Sequence, residues 1–243
     1  MNTKITIIKT FILLFLSITT LTACSNHSRP DSKESKAALY NAQLGAQYTQ
    51  KGRYNLANEK LLKALEQDPQ SAEAHHYYAI LQQQLGESQI ADRHFRRAMA
   101  ITPKDPQLLN NYGSHLCRHG NYATATQHFL AALNDPLYTT PEFAYTNAGI
   151  CIKKSGDNAK AEEYFRKSLA LKPTFGSALF QMAKVKYEQG DFARAQAFIQ
   201  RYHESSREGA DSLLLCAQIN TRLGDLDAAN QCNNKLAGRY PNN

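Results

Sequence analysis

Apolar residues in this chain recur at helical spacing in paired segments, and a glycine divides each pair. In residues 108–135, LLNNYGSHLCRHGNYATATQHFLAALND, the pair Tyr112-Gly113 is followed by Gly120-Asn121-Tyr122 and then by Ala125, Phe129 and Ala132. Steps of three and four place those last three residues on one helical face, so the stretch predicts a helix, a tight turn and a second helix. The same grammar runs before and after it. Turn glycines fall at Gly52, Gly86, Gly120, Gly156, Gly190 and Gly224, spaced 34, 34, 36, 34 and 34 residues apart. Seven or eight residues before them stand Leu44-Gly45, Tyr78-Ala79, Tyr112-Gly113, Ala148-Gly149, Met182-Ala183 and Cys216-Ala217, where small side chains permit two helices to approach closely. Five residues after them come Ala57, Ala91, Ala125, Ala161, Ala195 and Ala229, and four further on Leu61, Phe95, Phe129, Phe165 and Ile199. Pro69, Pro103 and Pro173 mark the ends of second helices, because a proline ring cannot continue the hydrogen-bond ladder.

A period of this length with these residues is that of a tetratricopeptide-like repeat. The fold class expected is all-α, a right-handed superhelical solenoid of six helix-turn-helix repeats at about 38–71, 72–105, 106–139, 142–175, 176–209 and 210–243. One helix pair cannot bury its apolar face alone, so stacking makes one elongated unit with a continuous core. The last two repeats drift: Tyr202 replaces a small residue, Arg207 the closing proline, and Asn233 an aromatic. The sixth repeat reads as a cap, whose outer face must be polar. The two extra residues lie in Pro136-Leu137-Tyr138-Thr139-Thr140-Pro141, a longer loop between repeats three and four.

The N-terminus has a different composition. Lys4 and Lys9 precede FILLFLSITTLTA, a run shorter than the roughly 20 apolar residues that span a bilayer. Residues 1–23 therefore read as a cleaved secretory leader. They end in Leu21-Thr22-Ala23-Cys24, which resembles a bacterial lipobox; the alternative is a free cysteine after an ordinary leader. The resemblance implies an N-acyl diacylglycerol on Cys24, the one covalent group expected, with no other cofactor. Two acyl chains already anchor stably, and Ser25 after the cysteine implies sorting to the periplasmic face of the outer membrane. Residues 24–37 form a tether. SNHSRPDSKESK (25–36) lacks apolar residues and should be disordered, with a reach of roughly 20 Å.

Net charge is +7 and falls to +5 when Lys4 and Lys9 leave with the leader. That excess is dispersed along helices, which does not make a nucleic-acid footprint. After Cys24, four cysteines remain for an oxidising compartment. Cys117 and Cys151 lie late in the first helices of adjacent repeats, so a bridge is geometrically reasonable. It would close a loop of roughly 35 residues and contribute about 4 kcal/mol in the chain-entropy model. Cys216 and Cys232 sit level across Gly224; two packed core thiols are the expectation there, a second bridge the alternative.

Asn110-Asn111-Tyr112-Gly113-Ser114, Leu116-Cys117-Arg118, Asp135-Pro136-Leu137-Tyr138 and Asn147-Ala148-Gly149-Ile150-Cys151 make the resemblance narrower. With the lipobox, short tether, six repeats and two-residue insertion, the chain resembles the type IV pilus biogenesis lipoproteins of the PilF/PilW kind along essentially its whole length. The resemblance implies a non-enzymatic pilotin that binds a secretin subunit and promotes its outer-membrane localisation and multimerisation, for pilus biogenesis and twitching motility. It also implies a disulfide between Cys117 and Cys151. The drifting C-terminal repeats leave a role for that end open. A general periplasmic adaptor that recruits envelope or peptidoglycan enzymes shares the lipobox and repeats, but not the NNYG and cysteine arrangement.

In such solenoids the first helices line the concave face through their second, fifth, ninth, twelfth and thirteenth positions. These positions supply Leu39, Ala42, Ala46, Thr49, His76, Ile80, Gln83, Asn110 and Ser114. The apolar floor of Leu39, Ala42, Ala46 and Ile80 suits an apolar partner segment in the helix-in-groove manner, or else completes packing against the tether. Asn110, Asn111 and Asn147 either clamp a peptide backbone or bond neighbouring helix carbonyls. His115 and His119 have the i, i+4 spacing of a metal pair, but no third ligand accompanies them, and a solvated helix face is expected. His75 and His76 point to different faces. Neither G-x-S-x-G nor G-x-x-x-x-G-K occurs, so no enzyme and no metal site is expected, and the chain is read as monomeric.

Overall fold

The computed structural model describes residues 33–241. The leader 1–23, the Cys24 lipidation site and tether residues 24–32 lie outside the described residues. Twelve helices and no strand occur among the described residues. They form six antiparallel pairs: α1 (Lys33–Gln50) with α2 (Tyr54–Gln67), α3 (Ala72–Gln84) with α4 (Ser88–Ile101), and α5 (Pro106–Arg118) with α6 (Tyr122–Ala132). The series continues with α7 (Pro141–Lys154) and α8 (Asn158–Leu171), α9 (Gly176–Glu188) and α10 (Phe192–Ser205), and α11 (Ala210–Leu223) and α12 (Leu226–Arg239). Each helix packs on its own partner and on the helices of the next repeat, which is the stacking of a tetratricopeptide solenoid.

Local chemistry sets the helix ends. Ser71, Asp105, Asp157, Asp191 and Asp225 are N-caps whose side chains accept from the backbone N–H of Ala74, Leu108, Lys160, Arg194 and Ala228. α2, α4 and α8 stop two residues before Pro69, Pro103 and Pro173, and the intervening Asp68, Thr102 and Lys172 leave the helical conformation. All six turn glycines have φ between 69° and 100°, the left-handed region that only glycine enters at little cost.

The repeat is held by one contact made again and again. Leu61, Phe95, Phe129, Phe165 and Ile199 project from the second helices and are at most 1% exposed. Each such burial contributes about 1.5–3 kcal/mol. The facing position on the first helix carries glycine or alanine because nothing larger fits. A Cβ at Gly149 would lie 2.5 Å from the Phe165 ring, and one at Gly113 2.8 Å from that of Phe129. One apolar cluster runs from Ala79 to Val185 without a break, and smaller clusters serve the two ends. Between repeats four and five a polar tie adds to it: buried Lys186 bonds Glu162 Oε1 (2.7 Å) and Gln189 Oε1 (2.9 Å). Burial acts to raise the Glu162 carboxyl, but hydrogen bonds from Lys186, Gln189 and Arg166 outweigh it and hold the group down at about 2.

Two expectations need correction. Residues 33–36, assigned above to a disordered tether, are the first turn of α1; Ser35 Oγ donates to Asp68 Oδ2 (3.2 Å), so tertiary contact orders a stretch with no apolar residue. Cys216 and Cys232, expected as packed thiols, are joined as a disulfide with Cα atoms 6.1 Å apart, because the two helices of repeat six bring these positions face to face. Tyr202, the oversized residue of repeat five, lies half-buried beside Phe180 with ring centroids 5.4 Å apart, and its hydroxyl donates to Arg207 O (3.3 Å). It thereby fastens the loop in which the closing proline is missing. Cys117 and Cys151 are likewise disulfide-bonded, with Cα atoms 5.7 Å apart. In α12 only Ala229 and Cys232 are buried, the polar outside of a terminal repeat. The inserted loop tucks Tyr138 against Leu109, Ala132 and Ala144 and leaves Leu137 83% exposed.

Replacing Gly149 by valine should lower the free energy of unfolding by about 1–3 kcal/mol through overpacking against Phe165. Gly190→Ala, which meets no atom but has φ +76°, should cost about 1–2 kcal/mol from backbone conformation alone. Urea unfolding of the two variants tests this, and an unchanged midpoint for Gly149→Val rejects the close-contact account.

Candidate functional site

The first helices α1, α3, α5 and α7 carry the candidate groove, but the structure divides its residues into two sets. Leu39 is exposed, while Ala46, Ile80, Gln83, Asn111, Ser114 and Asn147 are partly open. Ala42, Thr49, His76 and Asn110 are buried instead of offering contact atoms, and Ala42, His76 and Asn110 belong to the joints between repeats. Ala42 packs with Ala64 and Ala74, and Thr49 Oγ1 donates to Gly45 O (2.9 Å). The register rule names which way a position leans; it does not show how far the next first helix covers it.

The asparagines do not bond neighbouring helix carbonyls, one of the two arrangements expected of them; they bond other side chains. Asn111 Nδ2 donates to His76 Nε2 (2.9 Å), and its Oδ1 accepts from Gln107 Nε2 (3.3 Å). Asn147 Nδ2 donates to Asn110 Oδ1 (3.0 Å). Ser114 Oγ donates to Asn110 O (2.9 Å), and His115 Nδ1 donates to Gln83 Oε1 (3.1 Å). Side chains thus stitch the first helices of repeats two, three and four into a polar rail, beside which the apolar side chains Leu39, Ala46, Ile80, Ile150 and Phe143 remain wholly or partly open.

The rail needs a neutral imidazole at His76. His76 Nε2 can accept only when uncharged, and burial lowers the ring to about 4. His115, expected on a solvated face, is instead 3% exposed against Phe95, with centroids 5.3 Å apart. Burial, with repulsion from His119, lowers it to about 4 as well. His75 lies against His94, Nδ1 to Nδ1 at 2.9 Å, and burial lowers both rings. Among the described residues no group of three or more His, Cys, Asp or Glu side chains is placed to hold a metal ion.

Two features escaped sequence reasoning. The register applied to repeats five and six leads to Phe180 and Leu214, half-buried and 47% exposed, which extend the apolar stripe. His203 Nε2 lies 3.3 Å from Ser212 Oγ, and its Nδ1 3.7 Å from Glu208 Oε1, a serine-histidine-acid sequence. Ser212 is 2% exposed and its Oγ is engaged with both N and O of Gly209. Glu208 is taken by Lys235 (2.8 Å) and Arg239 (2.6 Å). The group is a clasp that holds α12 to the loop before α11; it has no open nucleophile.

Regular helix pairs, a buried small-on-large contact and an open first-helix surface define a tetratricopeptide scaffold of the protein-interaction type. The tetratricopeptide repeat family matches residues 60–93 and 144–175. The chain is 32% identical to the type IV pilus assembly protein PilF of Pseudomonas aeruginosa over 234 residues, covering 94% of this chain and 93% of that protein. Among solved structures, that of PilW, a widely conserved type IV pilus biogenesis factor, superposes with a TM-score of 0.77 at 33% identity, covering 85% of this chain and 94% of that one. The structure of Pseudomonas aeruginosa pilF gives 0.77 at 32%, covering 87% and 96%. The chain therefore belongs to the PilF/PilW family of type IV pilus biogenesis proteins.

The histidines make stability depend on pH. Their folded values lie below the ordinary 6.5, so the unfolded chain takes up protons that the folded chain refuses. The stabilisation is complete above about 6.5 and is lost as pH falls towards 4. Urea unfolding at pH 7.5 and pH 5 should show the loss, and a His76→Gln/His115→Gln double variant should show less of it; an equal loss in both proteins refutes the assignment.

Proposed function

We propose that this protein is a lipoprotein anchored through Cys24 at the periplasmic face of the outer membrane, that it binds the type IV pilus secretin, and that it promotes secretin localisation and multimerisation. The observation that carries the reading is similarity along nearly the full length to a type IV pilus assembly protein, joined to an open apolar surface on a tetratricopeptide scaffold. The lipobox-like Leu21-Thr22-Ala23-Cys24 supports the anchor. The partner surface lies on repeats one to three, where Leu39, Ala46 and Ile80 keep apolar area in reach of a segment laid along the groove. The polar rail holds the first helices at fixed spacing, so the surface exists before the partner arrives and little ordering is needed on binding. Ala42, His76 and Asn110 act by setting that spacing.

Ile80→Glu and Ala46→Glu should each reduce recovery of the secretin with this protein by about tenfold or more, a loss typical of a charge placed in an apolar contact, with the helical circular dichroism unchanged. A strain lacking the protein should lose heat-resistant secretin multimers and twitching. Normal multimers and motility there would favour the general envelope adaptor.

A further inference from the structure

Away from the concave set, an open cleft of about 440 Å3 lies between α4 and the turn that joins α5 to α6. Its charge is uneven. Arg93 and Arg96, three residues apart on α4, bring two guanidinium groups to one helix face. The acid in the lining, Asp92, is already engaged: Oδ2 accepts from Arg96 Nε (2.7 Å) and Oδ1 from the Tyr112 hydroxyl (3.2 Å). Among the described residues Arg93 has no ion-pair partner. His119, the residue that ends α5, stands opposite beside His115, ring centroids 4.6 Å apart, and His115 gives its Nδ1 proton to Gln83 Oε1. Asn121 completes that wall, and its side chain makes no cap bond to α6, so its amide is uncommitted there.

Donors therefore outnumber free acceptors in a concavity far larger than one oxyanion needs. A planar guanidinium fork is matched best by a carboxylate or phosphate, and the spare volume calls for an oxyanion that carries a further group. We propose that this cleft binds a phosphate ester, with Arg93 as its principal contact and Arg96, His119 and Asn121 as secondary donors. The same chemistry is offered by an anionic lipid headgroup and by a soluble phosphate ester. The site shares no residue with the proposed secretin surface, so the two assignments stand or fall separately.

The test is titration of the full-length protein with pyrophosphate and with glycerol 3-phosphate, followed by NMR at the His115 and His119 rings. Saturable shifts are expected for the native protein. Arg93→Glu should weaken binding by about tenfold or more, the loss of one charge-assisted contact, and Arg93→Lys by less. Ile80→Glu should leave the shifts unchanged. Co-sedimentation compares vesicles of phosphatidylglycerol with vesicles of phosphatidylcholine alone. Extra binding to the former that Arg93→Glu removes assigns the ligand to the membrane, and equal sedimentation alongside saturable shifts assigns it to a soluble ester. Absence of saturation, equal affinity in Arg93→Glu, or tighter binding of succinate or an acidic peptide than of pyrophosphate would overturn the proposal.

Discussion

The structure depends on how near two helices can come within one repeat. Where Gly45, Gly113 and Gly149 face Leu61, Phe129 and Phe165, the missing Cβ is what admits the large side chain. Ala79 faces Phe95 in the same way, both fully buried. Because this contact recurs with nearly constant period, each pair presents its neighbour with the same shape, and stacking follows without any long-range strand pairing. The groove is a product of that repetition: first helices kept at one distance from their partners are also kept at one distance from each other.

On this frame the polar residues divide by depth. Asn110, Asn111, Asn147, His76, Gln83 and His115 lie where first helices meet, and their bonds in pairs satisfy groups that burial would otherwise leave costly. The solvent side keeps an apolar strip open. A surface built this way is held at fixed spacing by bonds between side chains, which suits a protein-interaction scaffold.

Most of the fold was legible in the residues because each signal was local and repeated: turn glycines, prolines after second helices, and alanine followed by a large apolar residue. Part of the site was legible too, since Leu39, Ala46 and Ile80 are open as the register implies. The remainder depends on distances between helices that no local pattern records. Spacing placed Cys216 and Cys232 level across a turn but not within bonding reach. A run of polar residues concealed the start of α1, which Asp68 secures from another helix. His115 looked like half of an exposed pair until Phe95 and Gln83 enclosed it.

The Cys117–Cys151 bond joins the first helices of repeats three and four, where the longer loop interrupts the period. The other junctions between repeats are noncovalent, whereas this one also carries a covalent staple. Bending of the solenoid would therefore fall on either side of a fixed elbow, with the spacing of repeats three and four preserved.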